Sequence, residues 1–290
     1  MTSRPVAARP VAIVTGASRG AGRGIAIALG SHGYAVYVTG RTQQEGTGVL
    51  PGTIHETAER VSEAGGEGIA VAVDHSDDRA IKALIDRVAA ERQGRLDILV
   101  NNVAAVHDDL IKPGPFWEKS IGLGDILDVG LRSQYIATYY AAPLFADQRN
   151  GLVVMTSSYG SACYMHGAAY GAQKAGVDKM AWDMAHDFKP YGVACVSIWM
   201  GLLLTARTRQ TMELKPEYKR LIGIAETPEF TGHIIQALAQ DPELMDLTGQ
   251  TFIGAELALR YGLTDEGGRQ PPSRRRHLGS PHVWHQATVE

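Results

Sequence analysis

Val11–Gly16 (VAIVTG) is a short apolar run ending on glycine, and it reads as a buried strand. ASRGAGRG follows, and IAIALGSHG then carries a helical pattern that stops at Gly33. A strand, a glycine loop and a helix in that order strongly restrict the fold. The glycines of Thr15-Gly16-x-x-x-Gly20-x-Gly22 let the backbone pass close to a pyrophosphate. The helix N-terminus beyond them offers free N–H groups and a favourable dipole. The plainer alternative, a tight turn and nothing more, requires no flanking strand or helix, and both are present.

The remaining chain repeats the alternation. Strands are expected at YAVYVTGR, GIAVAVDHSDD, LDILVNNVA, GLVVMTSS, VACVSIWMG and within QTFIGAELALRYG, with helical patterns between them. The expectation is an α/β fold: a doubly wound, Rossmann-type, seven-stranded parallel sheet with helices on both faces. A chain of 290 residues, 44% hydrophobic, can bury this core as a single domain. We assign 1–8 to an N-terminal arm, 9–262 to the domain with a flap at about 202–226, and 263–290 to an irregular tail. The 105–124 stretch reads as a loop with short helical turns. A net charge of −3 gives no electrostatic reason to bind nucleic acid. The two cysteines, Cys163 and Cys195, lack metal or disulfide spacing and read as reduced thiols. No metal site, signal peptide or membrane span is expected, and the compartment expected is the cytoplasm.

The second strand ends Thr39-Gly40-Arg41, without the acid that would hold a ribose 2′-hydroxyl. Arg41, with Arg19 in the glycine loop, suits a 2′-phosphate instead. NADP(H) is therefore favoured over NAD(H), against the alternative that Arg41 is a surface charge. Asp74 ends the third strand. Either it meets the adenine amino group, with His75 beside it, or Asp74–Asp77 form a turn and helix cap. Asn101 and Asn102, at the carboxyl end of the fourth strand, either stabilise its loops or touch cofactor.

Tyr170 and Lys174 stand four residues apart in a helical segment, on one face and about 6 Å apart along the axis. A tyrosine near its ordinary pKa of ~10 is a poor base at neutral pH. A neighbouring ammonium favours the phenolate, so the couple suits general acid/base work. The same spacing also fits an exposed helix face.

Taken in order, TGASRGAG, NNVA, the strand-end serine of MTSSYG, YGAQK and the Gly201/Thr205 pair resemble the short-chain dehydrogenase/reductases over about residues 9–260. TGASRGAGRGIAIAL, DVGLRSQY and RYGLTDEGGR look like the dehydrogenase/reductase member 1 branch. The resemblance implies that Tyr170 exchanges a proton with the substrate oxygen and that Lys174 holds the nicotinamide ribose. It implies a serine that polarises the carbonyl, thirteen residues before the tyrosine with a glycine three after it. Ser157 meets both conditions and Ser158 neither, which selects Ser157. By the same resemblance Gly16, Ser18, Arg19, Gly20 and Ala21 surround the phosphates and Asp74 meets adenine. Asn101 and Val103 line the adenosine ribose, while Gly201, Leu203 and Thr205 close over the nicotinamide amide. Gly130 stands where the family has an asparagine that seats a relay water. Met200 replaces the usual proline before Gly201, which suggests a less rigid hinge.

These readings lead to an NADP(H)-dependent oxidoreductase acting on a carbonyl or secondary alcohol, with no metal. The pocket walls expected are the 105–121 loop, Tyr159, Tyr164–His166 and the flap around Leu202–Met212, apolar enough for a hydrophobic ketone. A homodimer or homotetramer is expected on the two long helices, roughly Asp125–Asp147 and Ala168–Lys189. The rivals are a non-catalytic NADP-binding redox sensor and an isomerase or dehydratase on the same fold.

Overall fold

The computed structural model describes residues 9–47 and 50–289, so the expected arm at 1–8 lies outside the described residues. The first half comprises β1 (Val11–Val14), α1 (Gly20–Ser31), β2 (Ala35–Gly40), α2 (Ile54–Glu63), β3 (Glu67–Ala72), α3 (Asp78–Glu91) and β4 (Ile98–Asn101). Then come α4 (Asp125–Leu127), a π-helical turn (Asp128–Arg132), α5 (Ser133–Gln148), β5 (Gly151–Ser157), α6 (Ala168–Phe188) and β6 (Val193–Trp199). The chain continues with α7 (Ala206–Leu214), α8 (Pro228–Ala239), α9 (Leu244–Leu247), β7 (Thr251–Ile253), α10 (Gly254–Arg260) and α11 (Arg275–Leu278).

All seven strands are parallel, in the order β3-β2-β1-β4-β5-β6-β7. The winding reverses between β1 and β4, so their carboxyl ends open a crevice where ligands bind in such sheets. Strand residues alternate between two cores. Val14, Val38, Val100 and Val154 pack with Ile25 and Leu29 of α1 and with Phe230 and Ile234 of α8. Ile13, Leu99, Val153 and Cys195 face the other way, onto Ile81 of α3, Phe145 of α5 and Val177 of α6. Helices α1 and α8 approach closely because Gly24 and Gly232 carry no side chain. A Cβ at Gly24 would lie 2.4 Å from Pro228 Cβ, and one at Gly232 2.5 Å from Ala28 Cβ.

The last strand is shorter than the sequence pattern suggests. Only Thr251–Ile253 pairs with β6, and GAELALR turns into α10. Its Ala, Leu, Glu and Arg are strong helix formers, and they prevail once the edge of the sheet is reached. The 105–124 loop holds three short 3₁₀ turns. The flap is α7 followed by a 3₁₀ segment, Pro216–Ile224, and it returns to its own start through a bridge between Leu203 and Glu226. Part of the tail packs on the domain. Arg275 pairs with Glu256 at 2.6 Å, and the Arg274 N–H donates to Tyr159 Oη at 2.9 Å. Both cysteines are free thiols. Among the described residues no helix is long and apolar enough to cross a membrane.

Candidate active site

The glycine loop is built at the crevice. Gly16 and Gly20 hold φ of +66° and +59°, a region that disfavours side chains. A Cβ at Gly22 would stand 2.4 Å from Gly16 O and 2.5 Å from Asn102 Nδ2. Asn102 Nδ2 donates to Thr15 O at 2.9 Å, and Thr15 Oγ1 accepts the N–H groups of Asn102 (2.9 Å) and Val103 (3.0 Å). The β4 end thus pins the loop, as one of the two readings of the paired amides expects, but through Asn102. Asn101 is fully buried and donates to Thr138 Oγ1 at 2.9 Å, so its side chain joins β4 to α5. Val103 lies against Gly16, where a Cβ would be 2.7 Å from Val103 Cα. Ser18 sits beside Gly40 at the end of β2, and Ala21 lies in the first turn of α1.

Arg19 donates from Nη2 to Thr42 Oγ1 (2.8 Å) and Gly52 O (2.9 Å), while its Nε is buried without a partner. Burial, then Arg207, then Arg41 hold its pKa below the usual arginine value. Three cations therefore converge, and Arg207 of α7 is one the sequence pattern did not single out. Such a cluster with an unpaired buried donor fits a phosphate. Arg41 is exposed and stands 3.8 Å from Asp74. Asp74 Oδ1 accepts the Ser76 N–H (2.9 Å) and hydroxyl (2.7 Å), so the turn reading of Asp74 is realised; its Oδ2 faces Arg41. The helix cap of the same Asp74–Asp77 reading is Asp77, which accepts the Arg79 N–H at 2.8 Å. His75 is buried against Thr39, its Nε2 2.9 Å from Thr39 Oγ1, and burial pulls its pKa down to about 4.

Beyond β5 the two serines part. Ser157, the last strand residue, is fully buried and its Oγ donates to Lys174 O at 3.2 Å. Ser158 Oγ lies 2.9 Å from Tyr170 Oη and also accepts the Gly160 N–H at 3.2 Å. The structure thus brings Ser158, not Ser157, to the tyrosine. Successive extended residues point to opposite sides, and a spacing counted across a loop does not fix which serine faces the helix. The Tyr170 ring is clamped between neighbours. A Cβ at Gly160 would be 2.5 Å from its Cε1, and the His166 ring meets it edge-on with centroids 5.0 Å apart.

Burial raises the Tyr170 pKa and the Ser158 hydroxyl lowers it. Lys174 Nζ is 5.5 Å from the Tyr170 ring centroid and donates to Thr156 O at 3.3 Å. Burial pulls Lys174 down to about 8, and the buried Asp178, one turn further along α6, pulls it up. Burial raises Asp178, which accepts from Ser197 Oγ (2.6 Å) and Trp199 Nε1 (2.8 Å).

The short chain dehydrogenase model matches residues 10–215. The chain belongs to the short-chain dehydrogenase/reductase family. It is 38% identical over 270 residues to dehydrogenase/reductase SDR family member 1 of Homo sapiens, covering 89% of this chain and 84% of the relative. Identity and coverage are the same for that protein of Mus musculus. Among solved structures it is similar to a Serratia marcescens short-chain dehydrogenase/reductase mutant, with TM-score 0.69, 25% identity, and coverage of 84% of this chain and 95% of that one. Its place in this family makes the protein an oxidoreductase that works with a nicotinamide dinucleotide, NAD(P)(H).

Two departures from the family pattern have local compensations. At Gly130 the helix takes the π-helical turn, and the Gly130 carbonyl accepts Gln173 Nε2 at 2.8 Å. A Cβ at Gly130 would lie 3.1–3.3 Å from the Gln173 side chain, so the missing side chain makes room for that amide. Where the family has proline, the Met200 N–H donates to Ser157 O at 3.1 Å, a bond proline could not make. Gly201 follows, Leu203 bridges to Glu226, and Thr205 caps α7 by accepting the Thr208 N–H at 3.2 Å. A Cβ at Gly20 would be 3.8 Å from Thr205 Cγ2, so the start of the flap lies over the glycine loop. A cleft of about 390 Å³ lies beside the first turn of α6, between Phe116 and Trp117 of the long loop and Tyr164 and Met165. Tyr159, His166 and the flap around Leu202–Met212, all expected as walls, do not line it; Tyr159 packs on Trp199, with ring centroids 5.2 Å apart, and its hydroxyl faces Arg274.

Proposed function

We propose that the protein is an NADP(H)-dependent oxidoreductase that interconverts a carbonyl and a secondary alcohol, on a small or medium hydrophobic ketone. The observation that carries this reading is the 2.9 Å contact between Ser158 Oγ and Tyr170 Oη, one helical turn from the buried Lys174. When bound, the nicotinamide supplies the hydride chemistry. Tyr170 gives a proton to the substrate oxygen during reduction and takes it back during oxidation. Ser158 accepts the Gly160 N–H, and its one hydroxyl proton, now beside Tyr170 Oη, turns to the substrate carbonyl to polarise it. Lys174 holds the nicotinamide ribose hydroxyls and favours the phenolate. Gly16, Ser18, Gly20 and Ala21 hold the pyrophosphate, Arg19 and Arg41 the 2′-phosphate, Asp74 the adenine, Val103 the adenosine ribose, and Gly201, Leu203 and Thr205 the nicotinamide amide. The apolar cleft beside α6 supports the preference for a hydrophobic substrate. Exposed Tyr135 and Tyr139 on α5 support a homodimer or homotetramer.

Replacing each serine separately tests the assignment. Ser158→Ala is expected to lower kcat by about 10²-fold, the usual effect of removing one polarising donor. Ser157→Ala is expected to retain most of kcat and to lose about 1 kcal/mol of stability with the hydrogen bond to Lys174 O. Steady-state kinetics and thermal unfolding of both variants decide it. The reverse ranking in kcat would return the role to Ser157.

A further inference from the structure

The flap begins and ends on one residue. The Gly201 N–H donates to Glu226 Oε2 at 3.0 Å. A Cβ at position 201 would stand 2.3 Å from Glu226 Oε1, so the carboxylate packs directly on the glycine. The Glu226 N–H donates to Leu202 O at 2.7 Å, and the Leu204 N–H to Glu226 O at 2.9 Å. Residues 201–204 are therefore fastened to Glu226 by one side-chain and two backbone bonds. Proline would fix φ at position 200, but Met200 leaves this hinge to hydrogen bonds.

Glu226 is 2% exposed. Asp265 lies nearby, itself accepting the Thr227 N–H (2.9 Å) and Arg269 Nη2 (2.8 Å), and Arg269 also donates to Ala225 O at 3.0 Å. A buried carboxylate near a second carboxylate is costly, and a glutamine would accept the same amide with no charge to bury. Retaining the charge therefore strengthens one bond, the charge-assisted one to Gly201.

We propose that Glu226 is a positioning residue: its carboxylate pins Gly201–Leu204 in the conformation that closes over a nicotinamide dinucleotide. The proposal rests on the reading of residues 201–205 as the nicotinamide-facing segment. Burial pushes Glu226 up to about 7; the Gly201 N–H lowers it, Asp265 raises it and Arg269 lowers it. Tyr159 also faces Glu226 and is itself raised in part by it. Near neutral pH the pin is thus partly protonated, and acidification weakens it. Stability runs the other way. The folded-state pKa lies above the ordinary glutamate value, so the folded chain binds more protons in that interval, and stability falls as pH rises through it.

The test is Glu226→Gln, read by NADPH fluorescence titration and by the thermal midpoint at about pH 6 and about pH 8. At the higher pH the variant is expected to bind NADPH about 5–20-fold more weakly, the scale of exchanging a charge-assisted for a neutral hydrogen bond. Its thermal midpoint there is expected to equal or exceed that of the wild type. At the lower pH the two affinities should converge; the 2′-phosphate's own titration is common to both proteins and cancels in their ratio. Glu226→Asp keeps the charge but shortens the reach, and it should weaken binding at both pH values. Unaltered NADPH affinity in Glu226→Gln would overturn the proposal alone. Parallel losses of affinity and midpoint would leave Glu226 a structural role and also overturn it. A wild type that binds neither dinucleotide would overturn the nucleotide reading beneath it.

Discussion

Tyr170→Phe is expected to lower kcat by about 10²–10⁴-fold, the range for removing a positioned general acid or base. Dinucleotide affinity should stay within about threefold of the wild type, because the phenyl ring keeps its packing and only the hydroxyl is lost. The ring is held by contacts that do not need the oxygen: the side-chain-free face at Gly160 and the edge-on His166. Ser158 would still accept the Gly160 N–H, so the loop before α6 should keep its shape. The measurements are kcat for NADPH-dependent reduction of a carbonyl substrate and NADPH titration on the same preparation. Full activity in the phenylalanine variant would remove Tyr170 from the chemistry.

The second large effect concerns the choice of dinucleotide. Arg19→Ala should weaken NADP(H) binding by about 10–100-fold, the scale of a hydrogen bond between charged groups, and should leave NAD(H) binding nearly unchanged. Arg19 is the member of the cluster with a buried, unpartnered Nε, and Arg41 and Arg207 repel it in the absence of an anion. Arg41→Ala should have a smaller effect, since Arg41 is exposed and already faces Asp74. Titration of both dinucleotides into each variant measures the ratio. Equal affinity of the wild type for the two, or tighter NAD(H), would contradict the reading of these arginines.

Most of the architecture was legible because it is local. The apolar strand ending at Gly16, the positive-φ glycines and the repeated alternation dictate the winding, and the winding brings Asn102, at the end of β4, onto Thr15. Tyr170 and Lys174 were legible because helical spacing puts them on one face. What the sequence could not fix depends on how separate segments meet. Ser157 and Ser158 are adjacent, and only the course of the following loop decides which reaches Tyr170. The donor that fills the space at Gly130 is Gln173, from another helix. Asp178 was within reach, since it falls one turn after Lys174 on the same helix, but its burial by Ser197 and Trp199 of β6 was not. Glu226 and Arg207 gain their roles only when the flap folds back. The last strand was overdrawn because β-edge and helical patterns coincide over GAELALR, where propensity favours the helix.

The central claim is tested most directly by following the absorbance of reduced nicotinamide when the protein is mixed with NADPH and a varied panel of ketones, aldehydes and quinones. The account predicts substrate-dependent NADPH consumption, strongest with apolar ketones and lost in Tyr170→Phe. Tight NADPH binding with no turnover on any member of the panel would contradict it and favour a nucleotide sensor that has kept the site without the reaction.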